Sequence, residues 1–130
     1  MAAPDKESRI PVGTQFSPDL IDLPAFVRMA STHSGDVDAL RQAVIQPPVR
    51  VKPYGRPPTR RMQGLPLEAA VQYGLLEEGT YTATPLAREM AELDEPDIYV
   101  VFARHILLNL GGLRLVEAAQ EMELDRRKIT

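Results

Sequence analysis

Apolar and polar positions alternate most informatively between Leu65 and Leu93. Leu67, Ala70, Val71 and Leu75 recur at i, i+3, i+4 and i+8, the spacing of one helical face, with Pro66 suited to a first turn and Gly74 to a left-handed stop. Leu75-Leu76 and Tyr81-Thr82-Ala83 are brief β-favouring runs, and Glu77 to Thr80 between them contains the glycine that a tight hairpin needs. Thr84 then predicts a cap and Pro85 a first helical turn, with Leu86, Met90 and Leu93 on one face. The predicted order is helix, small hairpin, helix.

Upstream, Met1 to about Gln15 shows no period and is expected to be a mobile arm. Ser17-Pro18-Asp19 predicts a short turn, and the apolar surface from Leu20 to Ala30 predicts a helix beginning at Pro24. After Ser34-Gly35-Asp36, the positions Val37, Leu40, Val44 and Ile45 predict another amphipathic helix, ended by Pro47-Pro48. Five prolines between Pro47 and Pro58 bar both helix and central strand, so an extended loop follows. Thr59 to Gln63 predicts a helical turn, and Gly64 and Pro66 argue against its running on into the helix of Leu67. Downstream, Asp94 to Asp97 predicts a helix start, and Ile98 to Leu110 is apolar almost all round, as in a buried or partner-facing helix. A last helix is predicted around Leu113, Val116 and Ala119, and Ile129-Thr130 reads as the start of another, which predicts a longer protein.

The phrase YGLLEEGTYTATPLARE, Tyr73 to Glu89, resembles the end of the recognition helix, the wing and the following helix of winged helix-turn-helix domains. Ala83 stands where that pattern usually has a larger apolar residue, and Ala87 where it often has Gly. The resemblance covers about Ser17 to Leu93. It implies a mainly α fold, a winged helix-turn-helix with a small β-hairpin, followed by a helical hairpin. The implied organisation is an arm over 1–16, a winged helix-like domain over 17–93, and over 94–130 a helical extension or the start of a second, truncated domain. It further implies a DNA-binding module of a prokaryotic protein, similar to the N-terminal modules of bacterial regulators or of restriction and defence proteins.

Charge bears on that expectation in two ways. A net charge of -3 excludes a strongly basic, nonspecific nucleic-acid coat. Yet Arg50, Lys52, Arg56, Arg60 and Arg61 fall between Val49 and Leu67 with no acid among them, whereas acids predominate from Glu77 to Asp97. Beside a recognition helix the cations would neutralise phosphates of double-stranded DNA. Arg60, Arg61, Gln63, Glu68 and Gln72 are candidates to face the groove, since Arg pairs with guanine and Gln with adenine. Tyr54 could stack on a base or pack against the domain. The alternative is a protein-interaction adaptor that keeps the winged fold, docks through its acidic wing and the helix of Ile98, and leaves the loop solvated. The same helix could serve a homodimer or pack within the chain.

Candidate chemistry is sparse. The chain has no cysteine, and the phosphate-loop, His-Glu-x-x-His and Gly-x-Ser-x-Gly motifs are all missing from it. His33 followed by Ser34, Gly35 and Asp36 imitates a hydrolytic dyad, but the same residues make an ordinary helix stop and cap. His105, with Asn109 at i+4, reads as a structural, hydrogen-bonded histidine. No catalytic site, metal site or cofactor is expected. With no signal core at Met1 to Gly13 and no apolar run approaching the roughly 20 residues of a membrane span, a cytoplasmic protein is expected.

Overall fold

A computed structural model describes residues 16–110. Five helices make up its regular structure: α1 (Leu23–Thr32), α2 (Val37–Val44), α3 (Arg60–Gln72), α4 (Pro85–Ala91) and α5 (Glu95–Asn109). The predicted arm, and the helix expected around Leu113 to Ala119, lie outside the described residues.

Capping chemistry sets where the helices begin. Asp22 and Asp36 accept hydrogen bonds from the Ala25 and Ala39 N–H groups at 3.3 and 3.1 Å. Thr59 and Thr84 do the same for Met62 and Ala87, both at 3.2 Å. Each oxygen satisfies one of the donors that a helix start leaves without an intrahelical partner. Pro24 and Pro85 occupy first-turn positions, where proline costs no hydrogen bond.

The apolar faces meet in one core. Phe26, Val27 and Ala30 of α1, Leu40 and Val44 of α2, Leu67 and Ala70 of α3, Ala87 and Met90 of α4, and Ile98 of α5 are all buried there. α1 packs on α2, α4 and α5, and α2 packs on α3. Aromatic rings extend the core: Phe16 meets Phe26 edge-on at 4.8 Å and Tyr73 at 5.5 Å, and Tyr73 meets Phe102 at 5.4 Å. Arg28 of α1 also donates to the Leu93 carbonyl at 3.3 Å.

Two sequence expectations are corrected. The break at Gly64 and Pro66 does not occur, and α3 runs unbroken from Arg60 to Gln72 with Pro66 inside it. An interior proline costs about 3 kcal/mol or more in an isolated helix. Here Pro66 and its neighbour Leu67 are fully buried, and that packing offsets the missing backbone bond.

The predicted hairpin strands are also missing, and no strand forms among the described residues. A single antiparallel bridge joins Leu76 to Ala83. The Glu77 N–H donates to the Thr82 carbonyl at 2.7 Å, and the Tyr81 N–H donates back to the Glu77 carbonyl at 2.9 Å, closing a turn one residue wider than a β-turn. Gly79 and Tyr81 both take positive φ, 85° and 56°. Left-handed backbone at Tyr81 cannot continue a strand, so the arms stay too short for a ladder.

Hydrogen bonds hold this turn in place. The Ala83 N–H donates to Ser34 Oγ at 2.9 Å, and the Gly35 N–H donates to the Tyr81 carbonyl at 3.1 Å. Ser34 is thereby a structural acceptor for the turn. The Thr84 hydroxyl donates to the Gly74 carbonyl at 2.7 Å.

Candidate nucleic-acid interface

The loop between α2 and α3 is tied at its base. The Asp22 backbone N–H donates to the Val49 carbonyl and the Val51 N–H to the Leu20 carbonyl, each at 2.9 Å, which pairs Ile21 with Arg50 in an antiparallel bridge. Beyond that bridge Val51, Lys52, Pro53, Gly55, Arg56 and Pro57 are exposed, and Tyr54 is half-buried.

The five cations therefore divide into two sets. Arg50 belongs to the fold: its Nε donates to the Lys52 carbonyl at 2.7 Å, and its guanidinium lies 4.1 Å from the centroid of the Tyr54 ring. Tyr54 is thus engaged by a cation of its own loop. Lys52, Arg56, Arg60 and Arg61 are exposed. Burial of Arg50 has no signal in the sequence: Val49 and Arg50 are buried in succession while Val51 is exposed, a pattern that strand alternation does not produce.

Arg60 and Arg61 open α3, whose first turn contains no acid. Cations there oppose the helix dipole, so the arrangement costs helix stability and leaves the N-terminal end strongly positive. Along the same helix Arg61, Glu68 and Gln72 lie at i, i+7 and i+11, nearly in line on the exposed side. Gln63 is turned away from that line, its amide donating to the Pro58 carbonyl at 3.3 Å. Arg61 and Gln72 are accordingly brought to one face, and Gln63 is not.

Glu68 has a partner of its own. The Tyr81 hydroxyl donates to Glu68 Oε1, linking the 77–82 turn to the middle of α3. This bond is the first cause of a Tyr81 hydroxyl pKa above its usual 10.0, with burial and the Glu68 charge adding to it and Arg41 opposing. Sequence reasoning missed the pair because the two residues are 13 positions apart and meet only through the turn.

A phenol whose folded pKa is raised contributes stability that is complete below its unfolded value and disappears as pH rises through the folded one. Tyr81→Phe is expected to cost about 0.5–1 kcal/mol near neutral pH, a small figure because the pair is open to solvent. The deficit should shrink above pH 10.0, the ordinary tyrosine value. Urea unfolding of both proteins at neutral and alkaline pH checks this, and a deficit that persisted at high pH would deny the bond its role.

Tyr73 and His105 close the far end of α3. A carbonyl can only accept, so His105 Nε2–H donates to the Tyr73 carbonyl at 2.7 Å, and Nδ1 then accepts from the Asn109 amide at 3.1 Å. Burial raises the Tyr73 hydroxyl pKa. α5 thus packs within the chain through Ile98, the Phe102 ring and His105, while Tyr99, Val100, Leu107 and Leu108 remain exposed, Leu108 at 66%.

Among the described residues no group of three or more His, Asp or Glu could hold a metal ion. None of their helices is long and apolar enough to cross a membrane. Comparison with protein-family models, curated proteins and solved structures finds no match.

Proposed function

We propose that this chain is a non-catalytic DNA-binding module of the winged helix-turn-helix kind. In this reading α2 and α3 form the helix-turn-helix with a long proline-rich connection, α3 enters the major groove, and the 77–82 turn is a reduced wing. The observation that carries it is the cationic start of α3, where Arg60 and Arg61 sit with no acid in the first turn. A helix that forgoes favourable dipole chemistry at its N-terminus gains from an anionic partner. Lys52 and Arg56 widen the phosphate-binding surface, and Gln72 is the exposed amide further along the helix that can read a base edge. Use as a prokaryotic transcription regulator and use as the targeting part of a restriction or defence protein both fit this role.

Fluorescence anisotropy of a labelled mixed-sequence duplex at two salt concentrations tests the reading. Every cation that no longer neutralises a phosphate should make the fall of log affinity with log salt shallower by about one. Arg60→Ala with Arg61→Ala is therefore expected to lower affinity roughly tenfold or more at low salt and to flatten the slope by about two, with the fold intact. No binding at low salt would sink the duplex reading. It would leave the adaptor, a different use of the same fold. The adaptor is favoured by acidic, exposed Glu77 and Glu78 on the turn and by the exposed apolar residues of α5, which could also serve a homodimer.

A further inference from the structure

The loop between α2 and α3 borders a cavity of about 610 Å³, lined by Ile45, Arg50, Val51, Tyr54, Arg56 and prolines of the loop. Arg50 is only 9% exposed, and with Nε given to Lys52 its Nη1 is buried without an acceptor among the described residues. A guanidinium cannot shed its proton, so a buried donor of this kind keeps both its charge and its demand for an acceptor. No acid between Val49 and Leu67 answers it. Arg56 adds a second cation to the cavity wall, and the prolines fix φ at several loop positions, which limits how far the loop can rearrange.

We propose that this cavity binds a phosphate monoester carried on a ring-bearing body, either a mononucleotide or the phosphorylated end of a nucleic-acid strand. Two guanidinium forks match the oxygens of a phosphate, and a monoester near its second ionisation brings more charge than the internal diester of a duplex. The apolar wall and Tyr54 suit a flat ring, and the volume lies in the roughly 300–1,000 Å³ range of small-molecule sites, more than a lone carboxylate would fill. Since Nη1 is closed to solvent, its use requires a small movement of the loop. Such a site goes beyond duplex binding and does not rest on it.

The test follows the Arg50 Nε–H signal of the full chain by ¹⁵N NMR during titration with deoxyadenosine monophosphate, with sodium chloride at matched ionic strength as control. Saturation by the mononucleotide, weakened tenfold or more in Arg56→Gln, is the expected result. Arg56 is exposed, so that variant keeps the fold, and Arg50→Lys, followed through the backbone amide signals of Tyr54 and Gly55 because it lacks the Nε–H reporter, tests the buried fork itself. A 5′-phosphorylated single strand binding more tightly than the mononucleotide identifies the strand end as the source, and the opposite order identifies the free nucleotide. No saturable shift, a shift that chloride reproduces, or saturation unaltered in both variants overturns the site. A duplex closed by hairpins at both ends, titrated in parallel, reports duplex binding alone, so either reading can fail without the other.

Discussion

Phe26→Ala is expected to destabilise the protein by about 3–5 kcal/mol, the range for deleting a buried aromatic ring from a packed core. Phe26 is fully buried, sits edge-on to Phe16, and belongs to the helix that packs against α2, α4 and α5 together. Removing its ring forfeits transfer free energy and leaves a void that four helices would have to close at once. Domains of this size hold only about 5–15 kcal/mol in reserve, so the variant should be largely unfolded at temperatures the parent tolerates. Phe26→Leu, which keeps most of the volume, should recover much of the loss. Chemical denaturation followed by circular dichroism measures both, and a loss under about 1 kcal/mol for the alanine variant would show that the core is not organised on this ring.

Gly74→Ala is the second large effect, and two causes add. Gly74 has φ +82°, where an L-residue with a Cβ pays about 1–2 kcal/mol. The added Cβ would also stand 3.1 Å from His105 Nε2, the atom that donates to the Tyr73 carbonyl. The neighbour to be displaced is a ring engaged at both nitrogens, so it yields poorly. A total of about 2–3 kcal/mol is expected. Gly79→Ala separates the causes, because its φ is +85° with nothing within 4 Å of the added atom, and it should cost only the backbone share. Equal losses at the two glycines, measured by urea unfolding, would remove the His105 clash from the account.

These expectations depend on features that the sequence discloses unevenly. Thr84 and Asp36 are legible as caps because their chemistry is local, and α1, α2 and α4 start where Pro24, Asp36 and Pro85 predict. The continuity of α3 is not legible, because local propensity penalises Pro66 whereas burial of its ring is a tertiary fact. The loss of strand at the turn follows from left-handed Tyr81, a conformation that no tyrosine announces. At the candidate interface the clustering of cations is plain in the sequence. What sequence does not convey is the division of labour within the cluster: Arg50 taken into the loop with Tyr54, Gln63 turned to Pro58, and Glu68 claimed by Tyr81. Each depends on a partner whose position only the folded chain defines.

The loop that concentrates exposed positive charge also has a bearing on degradation. Enzymes that cleave after lysine or arginine seek open loops of this kind, yet Lys52 is followed by Pro53 and Arg56 by Pro57, bonds whose nitrogen bears no hydrogen and whose geometry such enzymes reject. Arg50 precedes a valine but is buried, and Arg60 and Arg61 lie in helix. An open, cation-bearing loop is thereby shielded from the proteases its side chains would attract.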